Sequence, residues 1–389
     1  MPAFEGRRLW FVGIGGAGLS AYAGLARAWG AEVGGWDRVS TPYLEGLAGV
    51  PVELSPEPVV PEGWEVVVSA AYPGVSGRSR ADFLAELVGL RRSIVVGGTH
   101  GKGTTAAMIA YVLREAGRDP AWLVGAPVPQ LGSNAGAGEG WLVVEGDESD
   151  RSVFGLEAEI AVVTNVELDH HTEFRSLAEL EREFDAWTAR ARAVVRDAPS
   201  HEGELAVAGA HNRANAGTAL AALELAGVPR EEAAPLLAGF HGTGRRFEVT
   251  EAGGVTIVDD YGHHPTELAA AIAAAREAFP GRRLVAVFQP HLYSRTRHLA
   301  RELGDALAAA DVAVVCDVYP AREEPVAGVT GKLVVDALSD RGRLPVWTPA
   351  LEDAVPWVVE HARPGDVLLV LGAGDVDRAP ALLRSGLGR

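Results

Sequence analysis

The segment Gly97-Gly98-Thr99-His100-Gly101-Lys102-Gly103-Thr104-Thr105 sets a lysine inside a glycine-rich loop. Lysine is scarce in this chain: of 35 basic residues, only Lys102 and Lys332 are lysines. A compact ammonium meets a phosphate as a point charge, which a planar guanidinium replaces poorly. The loop follows the apolar run Ser93-Ile94-Val95-Val96 and precedes a helical pattern from Thr104 to Glu115. Strand, glycine turn and helix together point backbone N–H groups and a helix N-terminus at anionic oxygens. The expected ligand is a nucleoside triphosphate, held by Gly98, Thr99, His100, Gly101, Lys102, Gly103, Thr104 and Thr105. A plain tight turn that happens to carry a lysine is the competing reading.

Two acidic clusters follow. Glu145-Gly146-Asp147-Glu148-Ser149-Asp150 comes directly after the apolar stretch Trp141–Val144, and Thr164-Asn165-Val166-Glu167-Leu168-Asp169-His170-His171 ends another. A carboxylate at the carboxyl end of a parallel strand is where a metal-bound phosphate sits in α/β folds. The clusters are expected to converge beside Lys102 and to hold a divalent metal, with Glu145 and His170 as the chosen ligands. Solvated acidic loops are the alternative. Near the N-terminus, Gly13-Ile14-Gly15-Gly16-Ala17-Gly18 with Asp37 nineteen residues on fits a diphosphate-binding turn plus an acid for a ribose hydroxyl. The same turn suits NAD, or a purely structural role. Further along stand Gly244-Arg245-Arg246-Phe247, Asp259-Asp260-Tyr261-Gly262-His263-His264-Pro265 and Phe288-Gln289-Pro290-His291-Leu292-Tyr293-Ser294-Arg295. In these, Arg295 suits a carboxylate and His263 an amine.

The elements that must position these groups alternate. Strands are expected at Leu9–Val12, Glu32–Trp36, Val66–Ser69, Ser93–Val96, Trp141–Val144, Ile160–Thr164, Val255–Val258, Leu284–Phe288, Val312–Cys316 and Val367–Leu371, with helical patterns between them. Such alternation means parallel sheets covered by helices, an α/β fold. A chain of 389 residues holds two or three domains. The expected divisions are 1–92, 93–239 and 240–389. The formal charge of −17 argues against nucleic acid and acidic membrane surfaces as partners. A single cysteine, Cys316, excludes an internal disulfide framework. With no signal-peptide pattern and no long apolar run, the expected location is the cytoplasm.

Phe-Val-Gly-Ile-Gly-Gly-Ala-Gly (11–18), Gly-Thr-His-Gly-Lys (98–102), Asp-Glu-Ser-Asp (147–150), Asp-Asp-Tyr-Gly-His-His-Pro-Thr-Glu (259–267) and Tyr-Pro-Ala-Arg-Glu-Glu-Pro (319–325) occur in this order. Together they resemble the bacterial cell-wall ligase (Mur ligase) family, which builds the peptidoglycan stem peptide. The resemblance implies three domains: an N-terminal Rossmann-like domain for a UDP-sugar, a central P-loop ATPase-type domain, and a C-terminal Rossmann-like domain for the incoming amino acid. It implies ATP-dependent joining of L-alanine to UDP-N-acetylmuramate through an acyl phosphate, with ATP and Mg2+ required and a monomer or homodimer as the assembly. Carried over by position, Lys102 would hold the β/γ-phosphates, and Thr104, Glu145 and His170 would hold magnesium. Asn212 and Asn215 would contact adenine, and Arg246 and Asp260 would reach ATP. Gly15, Gly16, Ala17, Gly18 and Ser20 would hold the UDP diphosphate, with Asp37 at the uridine end. Tyr261, His263 and Arg295 would receive the amino acid.

The pattern departs from the family in three places. Gly103 stands where a hydroxyl residue usually follows the loop lysine, Leu292 stands where an arginine is common, and only 40 residues separate His170 from His211. The last departure implies a shortened central domain. A murein-peptide recycling ligase is the alternative inside the family. Outside it stand a non-catalytic UDP-sugar or ATP-binding relative and an oxidoreductase.

Overall fold

A computed structural model describes residues 3–169, 173–321 and 323–388. The chain divides into two compact units. The first comprises Met1–Glu167, Leu177–Ala206 and Arg213–Thr243; the second comprises Leu168–Ser176, Val207–Asn212 and Gly244–Arg389.

The first unit contains two sheets. One is fully parallel, with strands β1 (Arg8–Val12), β2 (Glu32–Asp37), β3 (Val52–Leu54), β4 (Glu65–Val68) and β5 (Arg78–Ser79) in the order β3-β2-β1-β4-β5. Helices α1 (Ala17–Ala28) and α2 (Arg80–Gly89) cover it. α2 starts cleanly because the Ser79 hydroxyl accepts from the Asp82 backbone N–H. Phe4, Phe11, Phe83 and Trp29 pack as a ring cluster beneath these elements. The second sheet has strands β6 (Ser93–Gly97), β7 (Ala121–Val128), β8 (Ser133–Gly136), β9 (Leu142–Glu145), β10 (Ile160–Val163) and β11 (Ala193–Val195). Their order is β11-β10-β6-β9-β7-β8, with only β7 and β8 antiparallel. β6 lies at the centre and is buried at every position, as its unbroken apolar run requires. Around this sheet lie α3 (Lys102–Glu115), α4 (Leu177–Thr188), α5 (Ala210–Leu225) and α6 (Arg230–Leu237). Between Val195 and Ala210 the described chain forms no strand or helix.

The second unit is built on one sheet of β12 (Glu248–Ala252), β13 (Val255–Asp260), β14 (Leu284–Phe288), β15 (Val312–Val315), β16 (Val346–Trp347) and β17 (Val367–Leu371), in the order β12-β13-β17-β14-β15-β16. Only the β12/β13 pair is antiparallel. Alternate residues serve opposite faces. Val258, Ala286, Phe288, Leu369 and Leu371 pack against α7 (Pro265–Ala278), α8 (Tyr293–Leu307) and α9 (Lys332–Asp340), whereas Ile257, Val287, Leu368 and Val370 pack against α10 (Leu351–His361) and α11 (Ala379–Leu387). Three sheets, each largely parallel and flanked by helices, give the α/β architecture expected from the sequence. No helix among the described residues is long and apolar enough to cross a membrane.

Candidate active site

β6 delivers the chain to the lysine loop, and α3 begins at Lys102 itself. Gly98 and Gly101 adopt φ of +125° and +78°, a region that L side chains rarely enter. A Cβ at Gly98 would collide with the Thr164 hydroxyl, and one at Gly101 with the amide oxygen of Asn215. The turn after β10 braces this loop: Thr99 N–H donates to the Asn165 carbonyl (3.0 Å), His100 N–H to Asn165 Oδ1 (2.9 Å), and the Thr164 hydroxyl to the His100 carbonyl (2.6 Å). Thr104 and Thr105 are buried on the first turn of α3.

Lys102 Nζ donates to the carbonyls of Gly98 (2.8 Å) and Thr99 (3.0 Å) and pairs with Glu148 Oε2 at 2.8 Å. Burial by itself would lower the ammonium's pKa, but Glu148, Asp147 and Glu145 override it and hold the group above its usual range. Asp147 shows the reciprocal effect. Burial opposes its ionisation, yet Lys102 and the Ser149 hydroxyl and N–H keep its pKa below the ordinary carboxylate value. Glu145, at the end of β9, accepts from Gly125 N–H, and a Cβ on Gly103 would lie 3.1 Å from its Oε2. The missing side chain at 103 therefore leaves room for the Glu145 carboxylate. His170 lies outside the described residues.

The first glycine turn is closed by its own acid. Asp37 is buried and accepts from Gly15 N–H (2.7 Å) and Arg38 N–H (2.7 Å), while the Thr41 hydroxyl donates to the Gly15 carbonyl (2.6 Å). α1 then starts at Ala17 with Gly16 as its cap residue, and the Ser20 hydroxyl turns back to the Ala17 carbonyl. The Arg80 guanidinium lies against Gly18 and faces Asp150 at 3.5 Å. A cavity of about 230 Å3 opens beside this turn, lined by Ser20, Leu25, Tyr43, Leu47 and Asn134.

In the second unit, β13 ends at Asp259-Asp260. Asp260 accepts from Phe247 N–H (3.0 Å) and Gly262 N–H (2.8 Å), and burial pushes its pKa up to about 6. Arg246 lies over the Tyr261 ring at 5.1 Å and 3.6 Å from Glu267. His263 Nδ1 faces the Tyr261 carbonyl at 3.0 Å. A carbonyl only accepts, so Nδ1 carries the hydrogen and Nε2 presents a lone pair. Burial drives the pKa of His263 down to about 3, and the ring is neutral near neutral pH. At the start of α8, Leu292 is buried with φ of +69°. Arg295, one turn on, forms a bidentate pair with Asp169: Nε to Oδ1 at 2.6 Å and Nη2 to Oδ2 at 2.9 Å, with both side chains almost fully buried. Its Nη1 contacts Nδ1 and the carbonyl of His291 (3.1 and 3.2 Å).

The chain is 38% identical to UDP-N-acetylmuramate–L-alanine ligase of Streptomyces coelicolor over 96% of either chain. It is equally similar to the enzyme of that name from Rubrobacter xylanophilus, at 38% over 95% of this chain and 97% of that one. The chain belongs to the UDP-N-acetylmuramate–L-alanine ligase family. Residues 245–374 match the family model described as Mur ligase, glutamate ligase domain. The fold agrees across the whole length. UDP-N-acetylmuramate-alanine ligase from Thermotoga maritima superposes with a TM-score of 0.77, covering 97% of this chain and 98% of that one at 24% identity. A murein peptide ligase from Psychrobacter arcticus superposes at 0.66, with 99% of each chain covered and 23% identity.

Against this family background, the geometry groups the expected residues in three places. Gly98–Thr105, Glu145 and Asn215 gather around Lys102. Gly15–Gly18, Ser20 and Asp37 form the first turn. Asn212, Arg246, Asp260, Tyr261, His263 and Arg295 belong to the second unit. Glu148, the direct partner of Lys102, lies within Asp-Glu-Ser-Asp, but the strand-end position marks out Glu145 and nothing local marks out Glu148. Asp169 is equally unmarked as the partner of Arg295, since 126 residues separate them and no local pattern links the two.

Proposed function

We propose that this chain joins L-alanine to the lactyl carboxylate of UDP-N-acetylmuramate, with ATP converted to ADP and phosphate, in peptidoglycan precursor synthesis. The observation that carries this reading is the buried Lys102 ammonium, set in a strand–glycine turn–helix and ringed by Glu145, Asp147 and Glu148. That ring holds more negative charge than one lysine balances, and its oxygen donors suit a hard divalent cation. Thr104, Glu145 and His170 would hold magnesium, which when bound neutralises phosphate charge.

In the reaction, the lactyl carboxylate attacks the γ-phosphorus, and ADP leaves. The alanine amine then attacks the acyl carbon of the acyl phosphate, and phosphate departs from the tetrahedral intermediate. Positioning and charge neutralisation supply most of the rate. Lys102 exchanges Glu148 and two loop carbonyls for β/γ-phosphate oxygens. Gly98–Thr105 give backbone N–H groups to the same phosphates. Asn212 and Asn215 contact adenine, and Arg246 and Asp260 contact ATP. Gly15–Gly18 and Ser20 bind the UDP diphosphate, with Asp37 near the uridine. Arg295 and Tyr261 receive the amino acid, and the bare Nε2 of His263 accepts a hydrogen bond from its amine.

Phosphate release measured with UDP-N-acetylmuramate and a panel of alanine, glycine, serine and a tripeptide tests the proposal. Alanine-dependent release that also requires the UDP-sugar is expected. Release with the tripeptide alone, or none with any amino acid, would overturn it.

A further inference from the structure

The guanidinium assigned to the amino-acid carboxylate is already occupied by a carboxylate of the chain itself. Arginine has five N–H donors in a planar fork. In Arg295, Nε and one Nη2 hydrogen go to Asp169, and both Nη1 hydrogens go to His291. One N–H is left, and a bidentate grip needs two. The Arg295–Asp169 pair is also neutral as a whole and almost wholly buried, with side-chain exposures of 3% and 5%. It offers no net attraction to an incoming anion. Asp169 would also repel that anion strongly in so dry a site. Leu292 presents only an apolar side chain one turn before Arg295, so it supplies no charge for the substrate carboxylate.

We propose that Asp169 is a placeholder for the amino-acid carboxylate: the substrate must displace it from the Nε/Nη2 edge of Arg295 before that edge can bind the substrate. Asp169 is thus a positioning residue that sets the apparent affinity for the amino acid, and this inference rests on the reading of Arg295 given above. The placeholder matches a carboxylate in shape and charge, which keeps a buried arginine paired while the subsite is empty. Leaving a buried charge without a partner is the costly alternative. An amino acid whose carboxylate is blocked cannot make the exchange.

Kinetics with Asp169→Asn and Asp169→Glu test this. Asn keeps an acceptor oxygen but loses the charge, and Glu keeps the charge on an arm that fits the fork poorly. In Asp169→Asn the KM for alanine should fall about tenfold, the factor equivalent to one charge-assisted hydrogen bond. Asp169→Glu should show a smaller fall. The KM for UDP-N-acetylmuramate should stay within about twofold of wild type if the change is confined to the amino-acid step. An alanine KM that is unchanged or raised in the variants would overturn the placeholder role. If Asp169→Asn does not fold, Asp169→Glu decides alone. Wild-type protein that releases no phosphate in response to alanine would instead sink the function proposed above.

Discussion

Removing the Lys102 ammonium while keeping its acidic neighbours should destabilise the first unit as well as end catalysis. In Lys102→Met the carboxylate of Glu148, 1% exposed, loses the ammonium 2.8 Å away, and Asp147 and Glu145 lose the same counter-charge. Breaking a buried pair from one side costs about 3–5 kcal/mol. For a unit of this size each kcal/mol moves the melting temperature by roughly 2–4 °C, so a fall on the order of 10 °C is expected. Glu148→Gln in the same background removes the orphaned charge and should restore most of that loss without restoring turnover. Differential scanning calorimetry of both single variants and the double variant, with phosphate release measured in parallel, reads the two effects separately. If Lys102→Met melts like wild type, or if the double variant recovers nothing, the pair is not the buried unit described here.

Three further outcomes follow from the geometry. Gly103→Thr would set a Cβ 3.1 Å from Glu145 Oε2, so the carboxylate must move; kcat should fall and the magnesium requirement should rise, read by titrating the metal in the phosphate assay. Glu145→Ala should lower activity by more than tenfold at low magnesium and regain part of it in excess, a pattern visible in the same titration. The acid stability of the second unit should improve in His263→Gln. The histidine pKa is about 3 in the folded chain against an ordinary value of 6.5, so the unfolded chain binds the extra proton between these pH values. Stability from this group is complete above about pH 6.5 and is lost as pH falls toward 3, at a slope near 1.4 kcal/mol per pH unit. Urea melts at pH 4 and pH 7 should show a smaller difference in the variant than in the wild type.

The fold was legible where apolar runs were continuous. β14 and β17 occupy the residues expected, because strands buried on both faces announce themselves as unbroken apolar segments. β8 (Ser-Asn-Ala-Gly) and β12 (Glu-Val-Thr-Glu-Ala) were not, since edge strands with polar or small residues lack that signal. α3 begins two residues before the expected Thr104, since Gly101 in a left-handed conformation serves as its cap. At the site, the lysine loop and the strand-end acids could be read from spacing, because the chemistry is local to one strand–turn–helix. The pairing of Arg295 with Asp169 could not. It depends on which surfaces the tertiary fold brings together, and the composition of either segment carries no trace of it.

β17 has a consequence for how the second unit is made. It occupies residues 367–371, yet it lies between β13 and β14 and supplies the hydrogen-bonding partner for both. During synthesis, two half-sheets with unpaired backbone edges must therefore wait for the last strand of the set before either can be sealed. A ribosome stalled short of residue 367 would leave those edges open to strands from other nascent chains, so this protein is expected to lean on chaperones late in translation.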